Sequence, residues 1–523
     1  MHLSLLDIFV VVLYATFVLA LGQFASWRKA ARLKAGTEGA AQSRTLPWWA
    51  IGTSLIAANI SAEQIIGMSG SAYVGGLAIA SYEWTAALVI LIVGKFLLPV
   101  FLKNQIYSMP EFLKRRYGTN IQVVMTVFWL VLYVFVYMTA ILWLGATAVH
   151  AVTGLTMQIS IILLGLVAGN YALYVGLRPV GYSDVVQVSV LALGGLVMVI
   201  VALERISAGS GLSGLYSGFH MLTTRLPDHF HMILSPRDTY YKYLPGISVL
   251  VGGMWIINLA YWGFNQNIIQ RALTAKSVRE AQKGVVLAAF LKLLIPVFVV
   301  LPGIAAVILM PHLARPDEAY PQLMAVMPAG FLGLVFVALV AAIIGSMGSA
   351  LSSIAMMFTS DIFMVLHKGA SKRLAVAVGP FAAIIALIIA MAMAYPLLGH
   401  VDQAFQYIQE YAGFLSPGVV VIFLLGMFWK RATEAGALVA AVGSVVVSVF
   451  MWAYFQQIAF MNRMGIVFLI CLAMGIAVSL LQKPKPQSST IDITGVDYST
   501  SLSFNIASLA IIAILVALYT IWL

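Results

Sequence analysis

The chain has 523 residues, 62% of them hydrophobic and 9% charged, with a formal net charge of +11. A mean hydropathy of +1.00 is far above what a soluble protein of this length sustains, so the chain reads as a polytopic helical membrane protein. Apolar runs without polar alternation exclude a β-barrel, and the single cysteine, Cys471, excludes an intrachain disulfide and a cysteine-based metal site.

The first apolar run, Leu3 to Phe24, has no cation before it and is longer than a signal h-region, so it is read as a spanning helix. Fourteen candidate spans lie near 4–26, 47–74, 77–102, 122–152, 157–176, 182–204, 244–270, 278–310, 330–364, 374–397, 401–428, 434–455, 462–482 and 502–523. Lysine and arginine concentrate in alternate loops, such as Arg28 to Arg44, Lys103 to Arg116, Arg271 to Lys283 and Lys368 to Arg373. By the positive-inside rule these loops are cytoplasmic and both termini lie outside. That bias accounts for the net charge, and no nucleic-acid face is indicated. No soluble domain lies between spans. The longest loop, Ile206 to Tyr243, is an external connection whose His220, His229 and His231 read as solvated, and Lys483 to Thr500 reads as a polar linker.

Within the second span, AANISAEQIIGMSG (57–70) places Asn59, Ser61, Glu63 and Gln64 at the centre of an apolar run, with Gly67 and Gly70 following. Charged groups at mid-bilayer are costly and face a protein interior or a wet cavity. Polar side chains compete with the helical ladder. The segment therefore reads as a helix broken around Ile60 to Gly67, freeing backbone groups for a small ligand. A continuous helix whose polar face bonds its neighbours is the alternative.

Further intramembrane polar groups are Glu83 and Lys95 in the third span, and Asn258 and Tyr261 on one face of the seventh. Lys292 in the eighth, with Gln406 and Gln409 in the eleventh, completes the set. Amides that donate and accept, a carboxylate and an ammonium form the mixture that a ring of hydroxyls needs. A carboxylate ligand calls for an arginine fork, and no span interior holds one. Interhelical polar glue is the plainer reading of any one of these residues. Nothing combines nucleophile, base and orienter, so an enzyme is not indicated.

Residues 46–115, from LPWWAIGTSLIAANISAEQIIGMSGSAY to KFLLPVFLKNQIYSMPEFLKRRYG, resemble the sodium/solute symporter family. GGMWIINLAYWGFNQNIIQRALTAKSVREAQKG and DQAFQYIQEYAGFLSPG resemble its sodium/glucose cotransporter branch. The resemblance covers nearly the whole chain. It implies an all-α integral membrane protein that is one transporter domain of fourteen transmembrane helices. An extra helix (4–26) would precede a five-plus-five inverted repeat (47–204 and 244–428) opened by broken helices, and three helices (434–523) would follow.

It implies sugar contacts at Gln64, Glu83, Asn258, Lys292 and Gln409. An inner gate would lie at Tyr261, and outer gates at Met68 and Phe405. Sodium, the co-transported ion, would be held by carbonyls of Ala57, Ile60 and Ala342 and the hydroxyl of Ser346, with Asp184 aiding its exit. Its partners would be a small neutral sugar, sodium and the bilayer, with no protein partner evident, in a plasma membrane such as the bacterial inner membrane.

Four departures stand out. AAIIGSMGSALSS carries Gly345 where the family has a first hydroxyl, so one ion ligand is missing. Ala86 stands where a galactose-carrying member of the branch has a serine, and Ala260 replaces a tyrosine beside the gate. YVGLRPVGYSDVVQ departs from the usual pattern around Asp184. The function that follows is sodium-coupled uptake of a neutral hexose by alternating access. A sodium-independent uniporter or sensor is one alternative, and a symporter for inositol, sialic acid or an amino acid is the other.

Overall fold

The computed structural model describes residues 4–14, 16, 47–106, 108–174, 181–208, 211–367, 369, 371–482 and 491–523. All regular structure among the described residues is helical. Ten helical stretches there are long and apolar enough to cross a membrane, and shorter apolar helices span Leu5–Tyr14 and Met157–Ala172. The second and seventh expected spans are not continuous rods.

The first of these opens with the 12-residue helix Trp48–Asn59. Ile60 then leaves helical geometry (φ −73°, ψ 106°), and the chain re-enters through the π-helix Glu63–Gly67 into helix Met68–Gly75. The expected break around Ile60 to Gly67 is thus confined to Ile60 and Ser61. Gly76 turns the chain back at φ 62°, and a Cβ there would lie 2.3 Å from the His229 carbonyl oxygen. Only glycine combines that backbone angle with that approach. His229, half-buried with a ring nitrogen 3.3 Å from the Tyr73 carbonyl, therefore packs against this turn and is not the solvated loop residue read from sequence. His220 and His231 are exposed.

The seventh span repeats the device. Helix Gly253–Phe264 also has 12 residues, Asn265 is extended (φ −79°, ψ 126°), and helix Gln266–Leu273 follows. The connection before it contains a helix of its own, Gly211–Arg225.

The 32-residue helix Val278–Leu309, about 48 Å long, lies against helices Trp48–Asn59, Met68–Gly75, Ser81–Ile92 and Gly181–Ser207. Gly284, Ala288, Lys292, Ile295, Val299 and Gly303 recur at helical spacing and are all buried. Small residues let the backbones touch: a Cβ on Gly303 would stand 2.2 Å from the Ser69 carbonyl. The stripe that packs on the first broken helix therefore also carries Lys292 inward.

Candidate functional site

A cavity lies where the two broken helices, the Ser81–Ile92 helix, Lys292 and the Ala404–Phe428 helix meet. Its lining includes Asn59, Glu63, Gln64, Glu83, Asn258, Tyr261, Trp262, Lys292, Phe405 and Gln409, with Tyr133 and Tyr137 on a further wall. Its empty volume is about 910 Å³, open solvent at its mouth included.

The polar groups form one chain of bonds. Lys292 Nζ lies 2.6 Å from Glu83 Oε2 in a buried ion pair, and it also donates to Asn59 Oδ1. Gln64 Nε2 donates to the other Glu83 oxygen at 2.5 Å. Asn59 Nδ2 donates to the Tyr261 hydroxyl at 3.3 Å. The Trp262 ring centroid is 4.9 Å from Lys292 Nζ, a cation–π contact that stabilises the ammonium where water is scarce.

Other groups keep capacity for a ligand. Asn258 donates to the Met254 carbonyl at 3.0 Å, which leaves its own oxygen free to accept. Glu63 Oε2 is buried without a hydrogen-bond partner among the described residues. A buried acceptor left unmade costs about 1–3 kcal/mol, so a hydroxyl placed there recovers a real penalty.

All five residues that the resemblance assigned to sugar line this cavity, as do Tyr261 and Phe405. Met68 does not. It is fully buried, its sulfur 3.4 Å from Gln64 Nε2, and touches the site through that amide. Two polar residues picked out by sequence lie elsewhere. Lys95 sits in the π-helix Val93–Leu97 over the Phe96 ring, and Gln406 donates to the Tyr240 hydroxyl at 2.6 Å, interhelical glue after all. Sequence reasoning missed Tyr82, whose ring meets Phe405 edge-on at 5.1 Å. It also missed Trp262 and the pair Tyr133 and Tyr137, whose i, i+4 spacing was the available signal.

A second group of oxygens lies at the first break. Gln64 N–H bonds the Ser61 carbonyl at 3.1 Å, and no amide of the broken turn reaches the carbonyls of Ala57 or Ile60. Bare carbonyl oxygens suit a hard cation. Ala342, Gly345 and Ser346 occupy one face of helix Phe331–Met357 by their i, i+3, i+4 spacing. Helix Gly181–Ser207 packs on both the Trp48–Asn59 and Phe331–Met357 helices. Asp184 belongs to it, but its side chain lies outside the described residues.

The sodium:solute symporter family profile matches residues 41–444. The chain belongs to that family. A sodium/glucose cotransporter of Vibrio parahaemolyticus is 43% identical over 99% of this chain and 98% of its own length. Sodium/glucose cotransporter 4 of Mus musculus is 32% identical over 85% of this chain and 68% of its length. The human sodium/myo-inositol cotransporter is 31% identical over 82% of this chain and 64% of its length. Among solved structures, a Na+-coupled sialic acid symporter in an outward-open state superposes with a TM-score of 0.77 over 92% of this chain and 99% of its own, at 23% identity.

The chain is accordingly a sodium-coupled solute symporter of the membrane, not an enzyme, and sodium is the coupled ion.

Proposed function

We propose that this symporter carries a neutral hexose of the glucose or galactose type inward by alternating access. The observation that supports this most is the internal neutralisation of the one ammonium among the described residues lining the cavity. Lys292 is paired with Glu83 at 2.6 Å, so the site offers a carboxylate ligand no free cation. It offers a sugar instead the spare donors and acceptors of Gln64, Asn258, Gln409 and Glu63 around an aromatic wall. The name of the Vibrio relative points the same way.

Sodium bound at the carbonyls of Ala57, Ile60 and Ala342 and the Ser346 hydroxyl would tie the first broken helix to the Phe331–Met357 helix and favour an outward-open state. Sugar would then be enclosed between Phe405 outside and Tyr261 inside, with Met68 backing the outer wall through Gln64. Release of sodium, aided by Asp184, would untie the helices. Coupling needs different affinities in the two states, not tight binding in one. The reading keeps fourteen crossings, with repeats at 47–204 and 244–428, both termini outside, and a place in a bacterial inner membrane.

Competition against labelled galactose uptake by a panel of solutes tests the substrate class. Glucose and galactose should compete best, myo-inositol less, and sialic acid or amino acids not at all. Stronger competition by an anionic or zwitterionic solute would overturn the reading.

A further inference from the structure

At Gly345 the Phe331–Met357 helix presents no side chain to its neighbour. Among the described residues, a Cβ added there would meet only one outside its own helix within 4 Å: Gln187, with Oε1 at 3.7 Å and Nε2 at 4.0 Å. Gln187 belongs to helix Gly181–Ser207 and is half-buried. Its carboxamide finds no hydrogen-bond partner among the described residues. The next residue, Val188, shares a small void with Ile56 and Ile60 of the first broken helix. Gln187 therefore lies beside Gly345, on the helix that packs against both the Trp48–Asn59 and the Phe331–Met357 helices.

The Gln187 amide, half-buried and without a partner among the described residues, is available to a ligand. Its oxygen is a neutral, hard donor of the kind that oxygen-seeking cations take. The space it reaches into is the space the absent Gly345 side chain would fill.

We propose that Gln187 is a sodium ligand, its carboxamide oxygen replacing the hydroxyl that Gly345 lacks. The inference rests on the sodium placement argued above. It completes five protein oxygens: the carbonyls of Ala57, Ile60 and Ala342, Ser346 Oγ and Gln187 Oε1. A glutamine carries more rotamer freedom than a serine and loses it on binding. Sodium is then held through a long, retractable arm, which a change in the distance between these helices can withdraw.

The test uses the purified full chain without sugar, titrating sodium against its thermal unfolding midpoint, with choline holding ionic strength constant. Gln187→Ala should raise the half-saturating sodium concentration about tenfold, one ligand's worth of 1.4 kcal/mol. Gln187→Glu should retain or tighten binding. Adding Gly345→Ser to Gln187→Ala should recover most of the loss, which a merely structural role for Gln187 would not allow. Ser346→Ala separates the two layers of the argument. If it weakens binding while Gln187→Ala does not, Gln187 is no ligand. If neither variant shifts the titration, the sodium placement itself is wrong. Should Gln187→Ala not fold, Gln187→Asn, which shortens the arm, must weaken binding, and a native titration would overturn the proposal.

Discussion

Lys292 has three N–H donors, and protein groups take two of them, Glu83 and Asn59. The third is the donor left for a hydroxyl. Removing one member of a buried pair leaves the other charge uncompensated, at about 3–5 kcal/mol. Lys292→Ala should therefore abolish uptake and lower the unfolding midpoint. Lys292→Met with Glu83→Gln, which removes both charges, should restore stability but not transport. Recovered uptake in the double variant would contradict a sugar-binding lysine.

Gln409 lines the cavity, and a site built to bond hydroxyls rejects analogues that lack them, because its own polar groups stay unpaired. Gln409→Leu should lose affinity for the intact hexose while losing little for one deoxy analogue, read from competition constants. Equal loss across the deoxy series would make Gln409 structural. Tyr261 supplies a ring to the cavity and a hydroxyl to Asn59. Tyr261→Phe should slow transport, whereas Tyr261→Ala should bind sugar but fail to occlude it, seen as fast exchange of bound label. These residues were legible in the sequence because polarity inside a span is expensive and therefore informative. Trp262 and Tyr82 were not, since an aromatic side chain in a span is ordinary packing until its neighbour is known.

At the scale of the element, each broken helix is a 12-residue rod ended by an extended residue. The first break announced itself through a run of polar residues and glycines. The second, at Asn265, was expected only through the family resemblance, because one asparagine after an apolar helix carries no more signal than a loop does. Near the start of the Ala404–Phe428 helix lies a further device that could not be read from sequence.

Asp317, in the 3-10 turn Pro316–Glu318, accepts the Ala404 amide at 2.8 Å at the start of the Ala404–Phe428 helix. Its other oxygen would lie 2.7 Å from a Cβ on Gly70. It thereby joins that helix to the first broken one. Burial pushes its carboxyl up to about 8, against the Ala404 bond and Arg315, with Asp402 and Glu318 adding in the same upward direction. The folded state thus holds a proton that the unfolded chain, near 3.8, releases. That contribution to stability is full at low pH, falls as pH rises from about 4 to about 8, and is flat above. Asp317→Asn should flatten this part of the slope in unfolding midpoints measured across that range. An unchanged slope would show that Asp317 does not hold its proton in the folded state.

For the whole molecule, the central claim is that one cavity for a neutral sugar is coupled to sodium held at the first helix break. The Val278–Leu309 helix connects the two, since it packs along that broken helix and carries Lys292 into the cavity. On the proposed reading, an ion tying the broken helix would change the wall of the cavity. The helical membrane class and the polar centre could be read from hydropathy and misplaced charge. Which helices meet could not, because apolar span surfaces resemble one another and only close approaches such as Gly303 on Ser69 fix the pairing. The most direct measurement is uptake of labelled galactose into proteoliposomes holding the purified chain, with an inward sodium gradient or with potassium or choline in its place. The account predicts accumulation above the external concentration with the gradient, and its collapse when sodium is equalised or replaced. Equilibration at the same rate without sodium would contradict it.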